Sequence, residues 1–376
     1  MWPPIAFRVS GRRAPSPAAR HQGKAATRSK EDKMASKFLK AFAATAAGAL
    51  VLALAVGCSS PSRDGGPASA SAARPSSPQA LSELNVGFFM TTTANPYAAI
   101  FSNAVQSAAK AAGVKLTEID SNLDLQTQIN QMQQAVARKT YNAWIVVPVD
   151  GAKVCNQVKA AINAGIRVME TNQYVCNGAD IGQVGFTGWQ TQETEAAWWK
   201  TILDQNSQAK VAFLAGPSTV GLVQSMKTQM ETAFRDHPQA SLVSYLNTDW
   251  STQDGLRMTQ DLLRAHPDVQ VIVSSYSVVT RGAQQALAQA GLLGKVKVYD
   301  WAGDTWLVGQ IQAGNVAMTL PGLPVSEGKA SVDNLVAYWT GKPYPKVDTL
   351  TKGSALANGP YVTRQNAAGY EAQWTA

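Results

Sequence analysis

The chain has 376 residues, 45% of them hydrophobic, which is enough for two domains of ordinary size, and it carries a formal net charge of +8. Ten of the 33 basic residues and two of the 25 acidic ones fall within residues 1–57, which leaves 23 of each sign in the remainder. A neutral body lacks the basic surface that nucleic acid requires, so nucleic acid is excluded as a partner.

Residues 1–33 are rich in Arg, Pro and Ala, and they precede a stretch organised like an export signal. Translation is therefore expected to start at Met34, with residues 1–33 untranslated or disordered. Residues 34–57 place Lys37 and Lys40 ahead of an apolar run from Ala41 to Val56. That run is short and Ala-rich for a membrane span, and small residues follow it, as in a signal peptide. The segment "LAVGC" resembles the lipobox of bacterial lipoproteins, which implies lipidation of Cys58 and a membrane anchor. The plain alternative is an ordinary signal peptide with a coincidental Cys. Residues 58–83, rich in Ser, Pro, Ala and Gly, read as a flexible tether.

From residue 84 short apolar runs alternate with amphipathic stretches, the pattern of βαβ units around parallel sheets. Strands are expected at 85–90, 114–119, 143–147, 167–170, 181–186, 210–214, 241–246, 269–274, 295–299 and 316–320. Helices are expected at 96–112, 125–139, 190–205, 220–237, 252–266, 278–290 and 325–340. "AAGVKLTEID" and "NAGIRVMETN" each close an Ala-rich helix with a glycine suited to the left-handed position after a helix end. So many elements exceed one convenient core, and two doubly wound α/β lobes are expected.

Cys155 and Cys176 remain after the leader. In an oxidising compartment they are expected to form a disulfide closing a loop of about 20 residues, which contributes roughly 3 kcal/mol in the chain-entropy model. Two unrelated buried thiols are the alternative. Only His237 and His266 follow the leader, each before a proline, so no metal site and no cofactor is expected. The sequence also has no phosphate-binding Gly-rich loop, no His-Glu-x-x-His and no Gly-x-Ser-x-Gly elbow, so an enzyme is not expected.

The segments "NVGFFMTTTANPYAAIFSNAVQSAAKAAGVKL", "NAWIVVPVDGAKV", "AINAGIRVMETN" and "LLRAHPDVQVIV", in this order, resemble the ribose-binding type of periplasmic sugar-binding protein. These are the substrate receptors of ABC importers, and the similarity spans about residues 84–376. The resemblance implies two Rossmann-like lobes joined by three crossovers, with the ligand held in the cleft between them. Lobe one would comprise 84–186 plus 323–352, and lobe two 187–322 plus 353–376.

In open α/β sheets ligands bind at the carboxyl ends of strands, and here those ends carry amides and rings suited to hydroxyl-rich molecules. Asn95 and Pro96 have the chemistry of a helix N-cap and first helical residue. The resemblance adds a ligand role for Asn95 and, as a cleft wall, for Tyr97. Asn172 and Gln173 stand where the family carries an Asp-Arg pair, and Gln224 stands where it carries an Arg, so three charged groups are replaced by amides. The resemblance also directs Trp250, Tyr276 and Asp300-Trp301 to the cleft. Core packing for the rings and helix capping for Asp300 or Asp304 are the competing roles. Asp150 reads as a cap.

The function expected is that of an extracytoplasmic, lipid-anchored, monomeric receptor for a small neutral sugar or polyol, partnered by an ABC permease. The alternatives are a receptor for a less polar ligand, such as a deoxy sugar or an aromatic glycoside, and a sensory module presenting its ligand to a membrane receptor kinase.

Overall fold

The computed structural model of the chain describes residues 78–350 and 360–376. Residues 34–57, expected to be a signal peptide, Cys58 and most of the expected tether lie outside the described residues, as do residues 351–359.

Five strands succeed one another in the first half: β1 (Asn85–Met90), β2 (Lys115–Asp120), β3 (Ala143–Val146), β4 (Arg167–Thr171) and β5 (Gly185–Thr187). Between them run α1 (Pro96–Ala111), α2 (Leu125–Arg138) and α3 (Cys155–Asn163). After α4 (Gln192–Gln205) the pattern repeats with β6 (Lys210–Ala215), α5 (Gly221–Asp236), β7 (Ser241–Asn247), α6 (Thr252–Ala265) and β8 (Val271–Ser274). Next come α7 (Ser277–Gln289), β9 (Lys297–Ala302), α8 (Thr305–Ala313), β10 (Met318–Pro321) and α9 (Pro324–Trp339), then the short β11 (Val347–Asp348) and β12 (Val362–Thr363).

The two sheets have one topology. The first is ordered β11-β5-β4-β3-β1-β2 and the second β12-β10-β9-β8-β6-β7. All the pairings are parallel except β12 with β10. In each sheet the winding direction reverses between the first and third strand in sequence, which opens a crevice at their carboxyl ends.

Strand and helix chemistry explain the layers. In β1, Val86, Phe88 and Met90 enter one buried cluster while Phe89 enters the cluster on the other face, as the two-residue strand period requires. In α1 the buried residues Tyr97, Ala98, Phe101, Val105 and Ala109 follow helical spacing. Each fully buried Phe side chain contributes about 1.5–3 kcal/mol.

Helix α9 follows β10 of the second sheet yet packs on α1, β4 and β5 of the first. Gly328 permits this approach: a Cβ there would lie 2.8 Å from the Phe101 carbonyl oxygen. The chain thus passes between sheets after β5, after β10 and after β11, the last partly outside the described residues.

All ten expected strands occur. The fifth starts four residues late, because Gly182 takes a left-handed φ of 89° in the preceding loop. Helix α8 was not expected; Trp306, Leu307, Val308 and Ile311 surround its two turns, so no amphipathic stripe stands out. Residues 79–83, read from composition as the end of a tether, dock on the end of α9. The Gln79 amide donates to the Trp339 carbonyl, and Trp339 Nε1 donates to the Ala80 carbonyl. Cys155 and Cys176 form a disulfide that ties the start of α3 to the loop after β4.

Candidate functional site

The carboxyl ends of both sheets meet around one cavity of about 90 Å³, roughly six to nine water-sized positions. Strand ends of both sheets contribute. The first sheet supplies Thr91, Asn95, Tyr97, Val147, Asn172, Gln173 and Gln190, and the second supplies Val220, Leu222, Trp250, Ser275, Tyr276, Trp301 and Ala302. No lining residue carries a formal charge.

Local chemistry places these groups. Thr92 Oγ1 accepts from the Ala94 amide and Thr93 bonds to Asp120, which turns the chain out of β1. Asn95 then caps α1 by accepting from the Ala98 amide at 2.9 Å, so its carbonyl is occupied and its Nδ2 remains to donate. Pro96 starts the helix and directs Tyr97 inward. The Tyr97 hydroxyl accepts from Trp189 Nε1 at 2.7 Å and donates to Glu327 Oε2 at 2.8 Å. Burial, with the Glu327 carboxylate next in importance, raises its pKa well above the ordinary value.

Four lining residues other than glycine hold a left-handed backbone: Leu123 (φ 59°), Asn172 (69°), Trp250 (64°) and Ala302 (90°). Such conformations cost about 1–3 kcal/mol each and concentrate where a site must be held in one shape. Gly216 makes room for Trp250, since a Cβ there would fall 2.2 Å from the indole nitrogen. That nitrogen donates to Ser275 Oγ at 3.2 Å. Tyr276 stacks on Trp374 with ring centroids 5.4 Å apart, and Trp374 meets the Tyr97 ring edge-on at 5.6 Å. Trp189 lies 5.1 Å from Trp301.

Two polar atoms of lining residues, Gln190 Oε1 and Trp301 Nε1, are buried without a hydrogen-bond partner among the described residues. One is an acceptor and the other a donor.

The two lobes touch across the cavity. The Gly221 amide donates to the Val149 carbonyl at 2.9 Å, and Tyr276 Oη donates to Asn95 Oδ1 at 3.4 Å.

Of the residues singled out in the sequence, Asn95, Tyr97, Asn172, Gln173, Trp250, Tyr276 and Trp301 are brought together at the cavity. Gln224 and Asp300 are not. Gln224 is exposed on α5, away from the buried face of Val223, Met226 and Met230, and donates to the Ser218 carbonyl. Asp300 is fully buried beneath the site, where it accepts from Ser277, Thr280, Thr319 and the Gly303 amide. Burial raises its pKa to about 7. Asp304, the other register considered, caps α8 and pairs with Arg281 at 3.1 Å. Asp150 accepts from the Ala152 and Lys153 amides, a turn-capping role.

Sequence reasoning missed Gln190, Trp189, Trp374 and Glu327. Gln190 sits three residues past β5, so the strand-end rule was the available signal. Trp374 and Glu327 reach the site from elements distant in the chain, and no local signal marks them. Among the described residues no group of three His, Cys, Asp or Glu is arranged to hold a metal.

Comparison with known proteins matches residues 86–343 to a family model described as a periplasmic binding protein domain. The ribose import binding protein of Bacillus subtilis (strain 168) is 22% identical over 263 residues, covering 69% of this chain and 83% of that protein. Among solved structures, an ABC transporter solute-binding protein from Mycobacterium smegmatis with bound glycerol superposes with a TM-score of 0.64 at 24% identity, over 78% of this chain and 99% of that one. One from Bacillus halodurans with bound myo-inositol gives 0.65 at 18% identity, over 77% and 97%. These structural likenesses show a shared fold.

Proposed function

The chain belongs to the periplasmic binding protein domain family, and from that premise we propose that it is the extracytoplasmic solute-binding component of an ABC importer. In this role it is a binding protein and not an enzyme. It takes a small neutral hydroxylated molecule, a sugar or polyol, between lobe one (84–186 plus 323–352) and lobe two (187–322 plus 353–376). Lipid at Cys58 holds the monomer at the membrane surface, and the closed form docks on the permease.

The observation that carries this reading is the uncharged cavity at the carboxyl ends of both sheets, with an unpaired acceptor on Gln190 and an unpaired donor on Trp301. Amides at Asn95, Asn172 and Gln173 exchange hydrogen bonds with hydroxyls, and the rings of Tyr97, Trp250, Tyr276 and Trp301 cover C–H faces. Ligand bridging the lobes stabilises the closed arrangement, which already has the Gly221–Val149 and Tyr276–Asn95 contacts.

A less polar ligand, such as a deoxy sugar, is the second reading. It is favoured by the small cavity and by amides at 172 and 173, which lack the charge-assisted hydrogen bonds of an Asp-Arg pair. Thermal shift and calorimetry with D-ribose, D-xylose, D-allose, L-arabinose, myo-inositol, glycerol and their deoxy analogues test both readings. Stabilisation by the fully hydroxylated probes supports the first and preference for the deoxy analogues supports the second. Silence across the panel refutes both.

A further inference from the structure

Behind the cavity wall lies a carboxyl group that pairs with no cation among the described residues. Glu327, in the first turn of α9, is fully buried. Its Oε2 accepts from the Tyr97 hydroxyl at 2.8 Å, and Asn172 Nδ2 lies 3.3 Å from Oε1 and 3.2 Å from Oε2. Trp189 Nε1 completes the chain by donating to Tyr97. Glu327 does not line the cavity, whereas Tyr97 and Asn172 do.

We infer that Glu327 is a positioning residue that selects, from its protonation state, which hydrogen-bonding atoms Tyr97 and Asn172 present to the ligand. The inference rests on the proposed ligand cavity and adds a proton-linked specificity control to it. An ionised carboxylate only accepts, so it holds the amide nitrogen of Asn172 toward itself and turns Oδ1 away. It also takes the single proton of Tyr97, leaving that side chain to contribute its ring. A protonated Glu327 carries its own donor, which needs an acceptor. Asn172 supplies one by turning its amide over, or Tyr97 by releasing its proton to the cavity side. The first change exchanges an acceptor for a donor at the ligand, and the second adds a donor there.

The surroundings make this switch specific. Burial pushes the Glu327 carboxyl up to about 8, and the Tyr97 and Asn172 hydrogen bonds oppose the rise. The titratable group facing it from α1 is Tyr97, and Tyr276 of the second lobe lies behind Tyr97. Glu170 on β4 points to the other face of the sheet, where it accepts from the Val175 amide. On α9 itself Lys329 and Asp333 pair with one another at the surface. The helix is anchored by two further polar contacts, Ser331 with Thr171 at 2.7 Å and Asn334 with Thr187 at 3.0 Å, so the carboxyl cannot move away as it titrates.

The test has a ligand-free arm and a binding arm. In the first, the side-chain amide resonance of Asn172 is followed by NMR from pH 6 to 9.5. It is expected to shift with one midpoint in the wild-type protein, to stay flat in Glu327→Gln, and to shift with a higher midpoint in Tyr97→Phe, which removes a bond favouring the anion. A flat wild-type profile, or the same titration in Glu327→Gln, overturns the inference. In the second arm, relative affinities for D-ribose, D-xylose, D-allose, myo-inositol and glycerol are measured at pH 6 and 9. At least a threefold change in their ratios is expected in the wild type and none in Glu327→Gln. Uniform scaling of all probes overturns the specificity role. If no probe binds, the sugar or polyol reading fails, while the Asn172 titration still decides the role of Glu327.

Discussion

Gly221→Ala separates closure of the lobes from folding. Gly221 is the first residue of α5, and a Cβ there would lie 2.8 Å from Asp150 Cα and 3.1 Å from Asp150 Cγ, both in the opposite lobe. Backbone cannot yield as a flexible side-chain tip does, so the lobes must stay further apart, which weakens the 2.9 Å bond from the Gly221 amide to the Val149 carbonyl. Loss of that bond costs about 0.5–1.5 kcal/mol and the overpacking about 1–3 kcal/mol. A total of about 1.5–4.5 kcal/mol corresponds to a roughly 10- to 2,000-fold weaker Kd. Within the second lobe the change is harmless, since alanine favours a helix over glycine by up to about 1 kcal/mol. Calorimetry with whichever panel sugar or polyol stabilises the wild type gives the affinity, and X-ray scattering of the same complex gives its compactness. Unchanged Tm with weakened binding and a larger radius is expected. A variant that binds as tightly and closes as fully refutes the reasoning.

Three further outcomes are expected. Trp301→Phe removes a buried donor that has no partner among the described residues, so the ligand-free Tm should move little while affinity falls by about 1 kcal/mol or more in calorimetry; an equal fall in both measurements would show a packing role only. Burial raises the pKa of Glu170 to about 8 from 4.5. Its folded state therefore holds a proton that the unfolded chain releases above pH 4.5, and its stabilising contribution is full below that pH and is lost as pH rises toward 8, by at most about 1.4 kcal/mol per pH unit. Glu170→Gln should flatten this slope and raise Tm at pH 8, and denaturant titrations between pH 5 and 8.5 check it. Replacing both Cys155 and Cys176 by Ser should cost roughly 3 kcal/mol in the same titrations. It should also increase hydrogen exchange in the loop bearing Asn172 and Gln173, a few residues from the bridge.

The strands and most helices could be read directly because their causes are local. Alternating and helical apolar spacing, Asn95 with Pro96 at a helix start, and a glycine after each Ala-rich helix act over a few residues. The resemblance to sugar-binding proteins, with the rule that ligands meet strand ends, then directed Asn95, Tyr97, Asn172, Gln173, Trp250, Tyr276 and Trp301 to a cleft, and these residues line one cavity. The same resemblance brought in Asp300 on β9, where the pleat decided otherwise. Trp301 lines the cavity, while its neighbour Asp300 faces Ser277, Thr280 and Thr319 below it.

By itself, the order of residues determined two α/β lobes and a neutral body with amides and rings at its strand ends, because propensity, periodicity and strand-end chemistry are short-range. Only the tertiary structure decided what stands behind that wall. Glu327 lies 230 residues from Tyr97 and 155 from Asn172, and reaches both because α9 leaves the second sheet to pack on the first. Trp374 meets Tyr97 and Tyr276 through the return of the C-terminal segment. A buried carboxyl acquires its chemistry from the groups folding brings around it, and no spacing along the chain encodes those neighbours.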